Sequence, residues 1–246
     1  MKAMETWRSI TTWGADPAFN MGLDEALLQS REAPPTVRFY TWRPDTLSLG
    51  YFQKFGDVPG AERAGAVVRR ITGGGAIHHV NELTFSISAS LEHPLYRGVV
   101  ADSYVRVHDA LRAALAKLGV SAELRGKRAL GSDRADTGMC FHKSTDLDIV
   151  WGDKKGIGTA QRRSKGRVLH HGSIKLGTSA LEGSIATLAE IGRSVPVHEI
   201  ATLVRAAFAE HFGVVFATSV PDADERALAR ELGKRYVDKS FVRMRE

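Results

Sequence analysis

Two stretches of the chain combine glycine with cations, and a lone thiol lies between them. Residues 69–79 read RRITGGGAIHH, residues 154–163 read KKGIGTAQRR, and the single cysteine is Cys140. Consecutive glycines cost backbone entropy and bury no side chain, so their usual return is close approach of the backbone to an anion or a flat carbonyl group. Exposed N–H groups along Gly73, Gly74 and Gly75, with Arg69 and Arg70 beside them, would suit an anion. The other open reading is a tight hairpin whose arginines are solvated. In the second stretch, Lys155 ahead of Gly156 and Gly158 can set an ammonium on a carbonyl or phosphoryl oxygen. A run this basic is also often just a solvated face. Cys140 is either a nucleophile or a small buried hydrophobe.

Several chemistries are excluded by spacing. No stretch supplies the phosphate loop G-x-x-x-x-G-K-[ST], and TGGGAI lacks the G-x-G-x-x-G spacing and runs into strand-like HHVNELTFSIS. The histidines come as pairs, His78–His79 and His170–His171, but neighbours on a strand point to opposite faces. With no H-E-x-x-H or C-x-x-C nearby, no metal site is expected.

The elements that must hold these residues can be read from periodicity. Residues 17–31 (PAFNMGLDEALLQSR) carry a helical apolar face with Pro17 early in the helix. Residues 36–42, 46–52, 66–71 and 82–90 read as strands, the third running directly into the glycines. Residues 102–118 form the clearest amphipathic helix, closed by Gly119. Residues 145–152 and 167–176 read as strands joined by the basic segment, and helices follow at 197–212 and roughly 221–235. Strands with hairpin-like neighbours followed by helices predict an α+β fold rather than a doubly wound one. The 246 residues suggest one domain, 1–246, with 220–246 as a possible helical cap.

The net charge of +6 favours acidic partners without choosing among nucleic acid, an anionic membrane or an acidic carrier protein. One cysteine permits no internal disulfide, the N-terminus has no apolar signal core, and no stretch is long enough to span a membrane. A soluble cytoplasmic protein is expected.

Taken together, the two clusters resemble the lipoate–protein ligase and octanoyltransferase family, which shares its catalytic fold with biotin–protein ligase. The family pattern R-R-x-[ST]-G-G-x-A-x-x-H is matched by Arg69, Arg70, Thr72, Gly73, Gly74, Ala76 and His79. The pattern K-x-x-G-[ST]-A-x-R, then H-G, is matched by Lys155, Gly158, Thr159, Ala160, Arg162, His171 and Gly172. NMGLDEALL (20–28) and RFYTWRPDTLSLGYFQ (38–53) are also family-like, and Val80 stands where the family commonly has aspartate. The resemblance implies an α+β catalytic domain of mixed, mostly antiparallel sheets flanked by helices. It implies glycines lining a groove for an acyl chain or its adenylate, with Arg69 and Arg70 positioning the attached group. Lys155 would hold the acyl carbonyl oxygen, while His79 and His171 would support the groove by hydrogen bonding.

Within the family, Cys140 in TGMCFHKS, NELTFS (81–86), GTAQRR and HHGSI resemble the LipM type of octanoyltransferase. That type takes octanoyl from acyl carrier protein through an acyl-cysteine and passes it to a lysine of a lipoyl-accepting domain. Such acceptors include the glycine cleavage H protein and 2-oxoacid dehydrogenase E2 subunits. No cofactor is then required, whereas a lipoate–protein ligase on the same scaffold would need ATP and Mg²⁺. A non-catalytic carrier-binding protein or a DNA-binding biotin ligase would also tolerate the basic charge. The latter should carry a helix-turn-helix module before the catalytic domain, and only about 15 residues precede the first helix here, which disfavours that reading. Neither a nucleic acid nor a membrane is expected as a partner.

Overall fold

Alternating side chains in TVRFYTW and ELTFSISAS make two-faced strands, and these form the middle of the structure. The computed structural model describes residues 4–30 and 32–245. The chain runs β1 (Glu5–Ala15), α1 (Pro17–Gln29), β2 (Thr36–Trp42), β3 (Thr46–Leu49), β4 (Ala66–Arg69), β5 (Ile77–His79) and β6 (Glu82–Ser90). It continues through α2 (Val100–Ala116), β7 (Glu123–Leu124), β8 (Ile149–Trp151), β9 (Lys154–Ser164) and β10 (Arg167–Lys175). It ends with α3 (Val197–Phe212), β11 (Val214–Ser219), α4 (Ala223–Val237) and α5 (Lys239–Val242). Eight strands form one sheet in the order β11–β1–β2–β6–β10–β9–β8–β7, and β4–β3–β5 form a second. Only the pairs β1–β11, β1–β2 and β3–β4 are parallel among the described residues. The fold is α+β, as expected.

The large sheet divides its side chains by period-two alternation. Val37, Phe39, Leu83, Phe85, Ile87, Val168 and Ile174 face α2 and α3, packing with Val107, Leu111, Val204 and Phe208 into the main core. The intervening residues face α1. Arg38 and Tyr40 reach Asp24, Ser86 donates to Asp24, and Ser88 donates to the Leu27 carbonyl. One face is therefore greasy and the other a polar lattice, which is where a site can be built. α4 lies along α1 through Ala229 against Leu23 and Leu27.

Several expected boundaries shift for local reasons. The helix expected over 17–31 ends at Gln29, and Arg31 lies outside the described residues, as do Met1–Ala3 and Glu246 of the expected domain. The strand expected over 46–52 stops at Leu49, because Gln53 folds back on Gly50 through two hydrogen bonds. That over 66–71 stops at Arg69, and that over 145–152 is confined to 149–151 because Asp148 closes a turn onto the Thr145 N–H. The largest correction concerns the basic segment, expected as a loop. It is strand β9, paired with β10 from Arg167↔Ser164 to Ile174↔Ile157. The strands β1 and β11, first and last along the chain and paired at one edge of the large sheet, correspond to no strand read from the sequence. The segments 223–237 and 239–242 are helical.

Candidate active site

The three glycines leave β4 and turn back across β3 toward the segment that carries the thiol. Arg70 holds this loop from inside. Its guanidinium donates to the carbonyls of Ser48 (2.8 Å), Gly73 (2.8 Å) and Gly75 (2.7 Å), and to the hydroxyls of Ser48 and Thr72. Burial lowers its pKa to about 10, so it stays cationic at neutral pH. Arg69 points elsewhere, donating to the carbonyls of Gly50, Gln53, Phe241 and Val242, and so ties α5 to the turn after β3. Both arginines thus spend N–H groups inside the protein, Arg69 on backbone carbonyls and Arg70 on carbonyls and hydroxyls, which is neither the open anion clamp nor the solvated hairpin that the sequence allows. The reason for glycine is plainest at Gly75: a β-carbon there would lie 2.7 Å from the Cys140 nitrogen. The bare backbone lets Ala76 exchange hydrogen bonds with the cysteine segment, Ala76 N–H to the Gly138 carbonyl and Cys140 N–H to the Ala76 carbonyl, each 2.8 Å.

Cys140 starts a single turn of 3₁₀ helix and presents its sulfur toward Lys155 at the head of β9. The Lys155 ammonium lies 3.4 Å from Cys140 Sγ, 3.0 Å from the Cys140 carbonyl oxygen and 2.9 Å from Asp148 Oδ2. Lys155 is 2% exposed. Burial disfavours its charge, but interaction with Cys140 and Asp148 outweighs that, and its pKa is raised above the ordinary lysine value. Gly158 completes the corner: a β-carbon there would come within 3.2 Å of both Cys140 Sγ and Lys155 Cε.

Cys140 forms part of the wall of a pocket of about 420 Å³, solvent at its mouth included. Met21, Tyr40, Trp42 and Ile77 give it an apolar lining, and Gly73, Gly74, Gly158, Thr159, Ala160 and Gly172 bring backbone to its surface. Arg70, His79 and His171 also line it. Of the residues singled out in the sequence, Lys155 sits directly behind Cys140, Thr72 meets the cavity through His171, and Gly75 and Ala76 back the cysteine segment. Arg69 lies away from it, against α5, and Arg162 sits over the Tyr51 ring instead of on the cavity wall.

The histidine pairs split across their strands. His171 faces the cavity, with Nε2 2.7 Å from Thr72 Oγ1 and Nδ1 3.4 Å from Asp24, whereas His170 lies against Tyr104 of α2. His79 is held between Glu82 (2.5 Å) and Ser48 (2.7 Å), and burial lowers its pKa. Among the described residues no group of three or more His, Cys, Asp or Glu side chains is arranged to hold a metal ion. Sequence reasoning missed Asp148, Asp24, Glu82 and Trp42. Asp148 sits in the strand-like TDLDIVWG just ahead of the lysine, and Asp24 in the family-like NMGLDEALL, yet neither stood out by residue type.

A narrow apolar slot with a thiol and a buried ammonium in one corner suits an acyl group with its carbonyl at the sulfur, which defines an acyl-transfer enzyme. Comparison with known proteins agrees. The model of the lipoyl protein ligase A/B catalytic domain matches residues 16–206, and the chain belongs to that family. It is 44% identical over 179 residues to the octanoyltransferase LipM of Moorella thermoacetica, a match spanning 70% of this chain and 66% of that protein. It is 36% identical to LipM of Carboxydothermus hydrogenoformans, across 93% of this chain and 95% of that one. Among solved structures, protein Ta0514 of T. acidophilum with bound lipoic acid superposes with a TM-score of 0.80 at 23% identity, over 98% of this chain and all of that one. A lipoate-protein ligase A bound with ATP superposes at 0.78, also at 23% identity, over 98% and 99% of the two chains. These structural likenesses establish the shared fold.

Proposed function

We propose that the protein is an octanoyltransferase of protein lipoylation, moving octanoyl from acyl carrier protein to a lysine of a lipoyl-accepting domain through an acyl-cysteine on Cys140. The whole chain, residues 1–246, is read as one catalytic domain. The observation that carries the proposal is the 3.4 Å approach of the Lys155 ammonium to Cys140 Sγ at an apolar cavity. A cation beside a thiol stabilises its thiolate, the attacking form. The sulfur adds to the thioester carbonyl, and collapse expels the carrier's thiolate, which takes up a proton. One thioester replaces another, so no ATP is consumed. The acceptor lysine amine then attacks the acyl-cysteine, forming an amide and releasing the Cys140 thiolate, while the amine's proton passes to solvent or base.

Lys155 serves both halves of this reaction. Its three N–H donors reach Asp148, the Cys140 carbonyl and the sulfur. Once the sulfur is acylated, the donor aimed at it has the acyl carbonyl oxygen next to it, and charge building on that oxygen strengthens the bond. No cofactor enters this route. The same fold carries ATP in the solved lipoate-protein ligase A, so ATP and Mg²⁺ belong to the competing ligase reading. The acceptors that this chemistry suits are small lipoyl domains such as the H protein or E2 modules. Neither nucleic acid nor membrane has a role, and a cytoplasmic setting fits the carrier-bound donor.

The test is intact-protein mass spectrometry after mixing with octanoyl carrier protein without ATP, using wild type and Cys140→Ala. A hydroxylamine-sensitive octanoyl adduct on wild type alone is expected. Absence of any adduct, with acceptor modification from free acid and ATP by both proteins, would overturn the transferase reading in favour of the ligase.

A further inference from the structure

The cavity that Cys140 faces does not stand alone. On the far side of Trp42 and His79 lies a second, solvent-open cleft of about 990 Å³, which these two residues also line. Beyond them the cleft is bordered by Leu176, Val195 and Val197, with Arg193 beside them. The two stacked rings line both spaces, and the second is a mixed one that Asp45, Asn81, Glu82 and Ser194 also line.

The partition is fixed unusually firmly. The Trp42 and His79 rings stack at 4.2 Å with an interplanar angle of 18°. Trp42 Nε1 donates to Thr84 Oγ1 at 2.8 Å, and that hydroxyl donates to Glu82 Oε1 at 2.8 Å. The same Glu82 oxygen lies 2.5 Å from His79 Nδ1, so one carboxylate orients both rings. Lys175, at 2.7 Å, and the Ser173 hydroxyl hold its other oxygen. A ring with its only polar atom bonded and one face stacked has little freedom to swing aside.

Resting on the octanoyl-transfer reading, we propose that Trp42, backed by His79, is the stop that sets acyl-chain length. A medium saturated chain fills the cavity and ends against the indole. A longer chain is refused because its terminal methylenes meet a rigid ring pair, although an open cleft bordered in part by Leu176, Val195 and Val197 lies just behind it. Removing the indole would join the two spaces and let longer chains through.

The test measures equilibrium binding of free saturated fatty acids of 6 to 16 carbons to the full chain by titration calorimetry, alongside adduct formation from the matching acyl carrier proteins. Each buried methylene is worth roughly fourfold in affinity. For wild type, affinity should climb by that factor to about eight carbons and then stop or fall. For Trp42→Ala it should keep climbing past that length, and adducts of 12 carbons should appear. A Trp42→Ala protein that is folded by circular dichroism but keeps the wild-type cut-off overturns the proposal. Should that variant not fold, Trp42→Phe decides: a cut-off moved to longer chains supports the stop, and an unmoved one overturns it. Because free-acid binding needs no chemistry at Cys140, loss of all adducts would count against the transfer route alone and leave the cut-off to be read.

Discussion

At the scale of single residues, the ammonium of Lys155 is the costliest group in the site, being a buried charge at 2% exposure. It is tolerated because Asp148 Oδ2 stands 2.9 Å away and because two backbone-anchored groups of Cys140 accept its other protons. Breaking a buried pair by removing one partner leaves an uncompensated charge. Asp148→Asn keeps the shape but removes the countercharge. We expect it to lose about 3 kcal/mol of stability in urea unfolding at neutral pH. The sign follows from the raised Lys155 pKa: its stabilising contribution is complete below the ordinary lysine value and is lost only as pH rises through the folded value. On the proposed role of Lys155 as donor to the acyl oxygen, single-turnover octanoyl transfer should fall about 100-fold, because Asp148 holds that donor in place. A variant that loses stability yet transfers at the wild-type rate would show Asp148 to be structural only.

At the scale of elements, the glycine loop is a docking surface for the cysteine segment, and its tolerance for side chains should be correspondingly uneven. At Gly75 an alanine β-carbon would meet the Cys140 N–H at 2.7 Å, so the two backbones must part. Displacing a nucleophile by about 1 Å costs on the order of 100-fold in rate. Gly75→Ala should therefore slow acyl-enzyme formation by that order, followed by quenched-flow mass spectrometry. Gly73→Ala, whose β-carbon would meet only Phe52 at 3.8 Å, should slow it far less. Equal effects at the two positions would mean that loop flexibility, rather than this contact, is what matters. This much was legible in the sequence: three glycines announced a close approach, and the lysine and cysteine could be named. The partner of that approach was not, because Gly75 meets the protein's own Cys140 backbone 65 residues on, and no local pattern encodes such a contact. The basic strand β9 was hidden for a similar reason. Its charge and glycines describe a loop, and only pairing with β10 makes it a strand. β1 and β11 pair from opposite ends of the chain, Glu5 with Val214, beyond the reach of any window.

At the scale of the whole molecule, the two faces of the large sheet do different work. One face with α2 and α3 supplies the apolar burial that stabilises the fold, which frees the other to carry buried charge around the cavity. The net charge of +6 belongs to the surface rather than to this interior. Part of it lies near the glycine loop, where Arg162 and Arg245 sit 5.8 and 5.6 Å over the Tyr51 ring and Phe52 is 68% exposed. A cationic, aromatic rim of this kind attracts an acidic carrier from solution, and such attraction is screened over about 10 Å at 0.1 M salt. kcat/KM for octanoyl carrier protein should therefore fall roughly tenfold between 50 and 500 mM NaCl. Octanoyl-pantetheine carries the same thioester without the carrier's charge, so its kcat/KM should barely move. Arg162→Glu with Arg245→Glu should flatten the carrier's salt dependence while leaving the small thioester unaffected. If both substrates respond alike, the rim has no part in meeting the carrier.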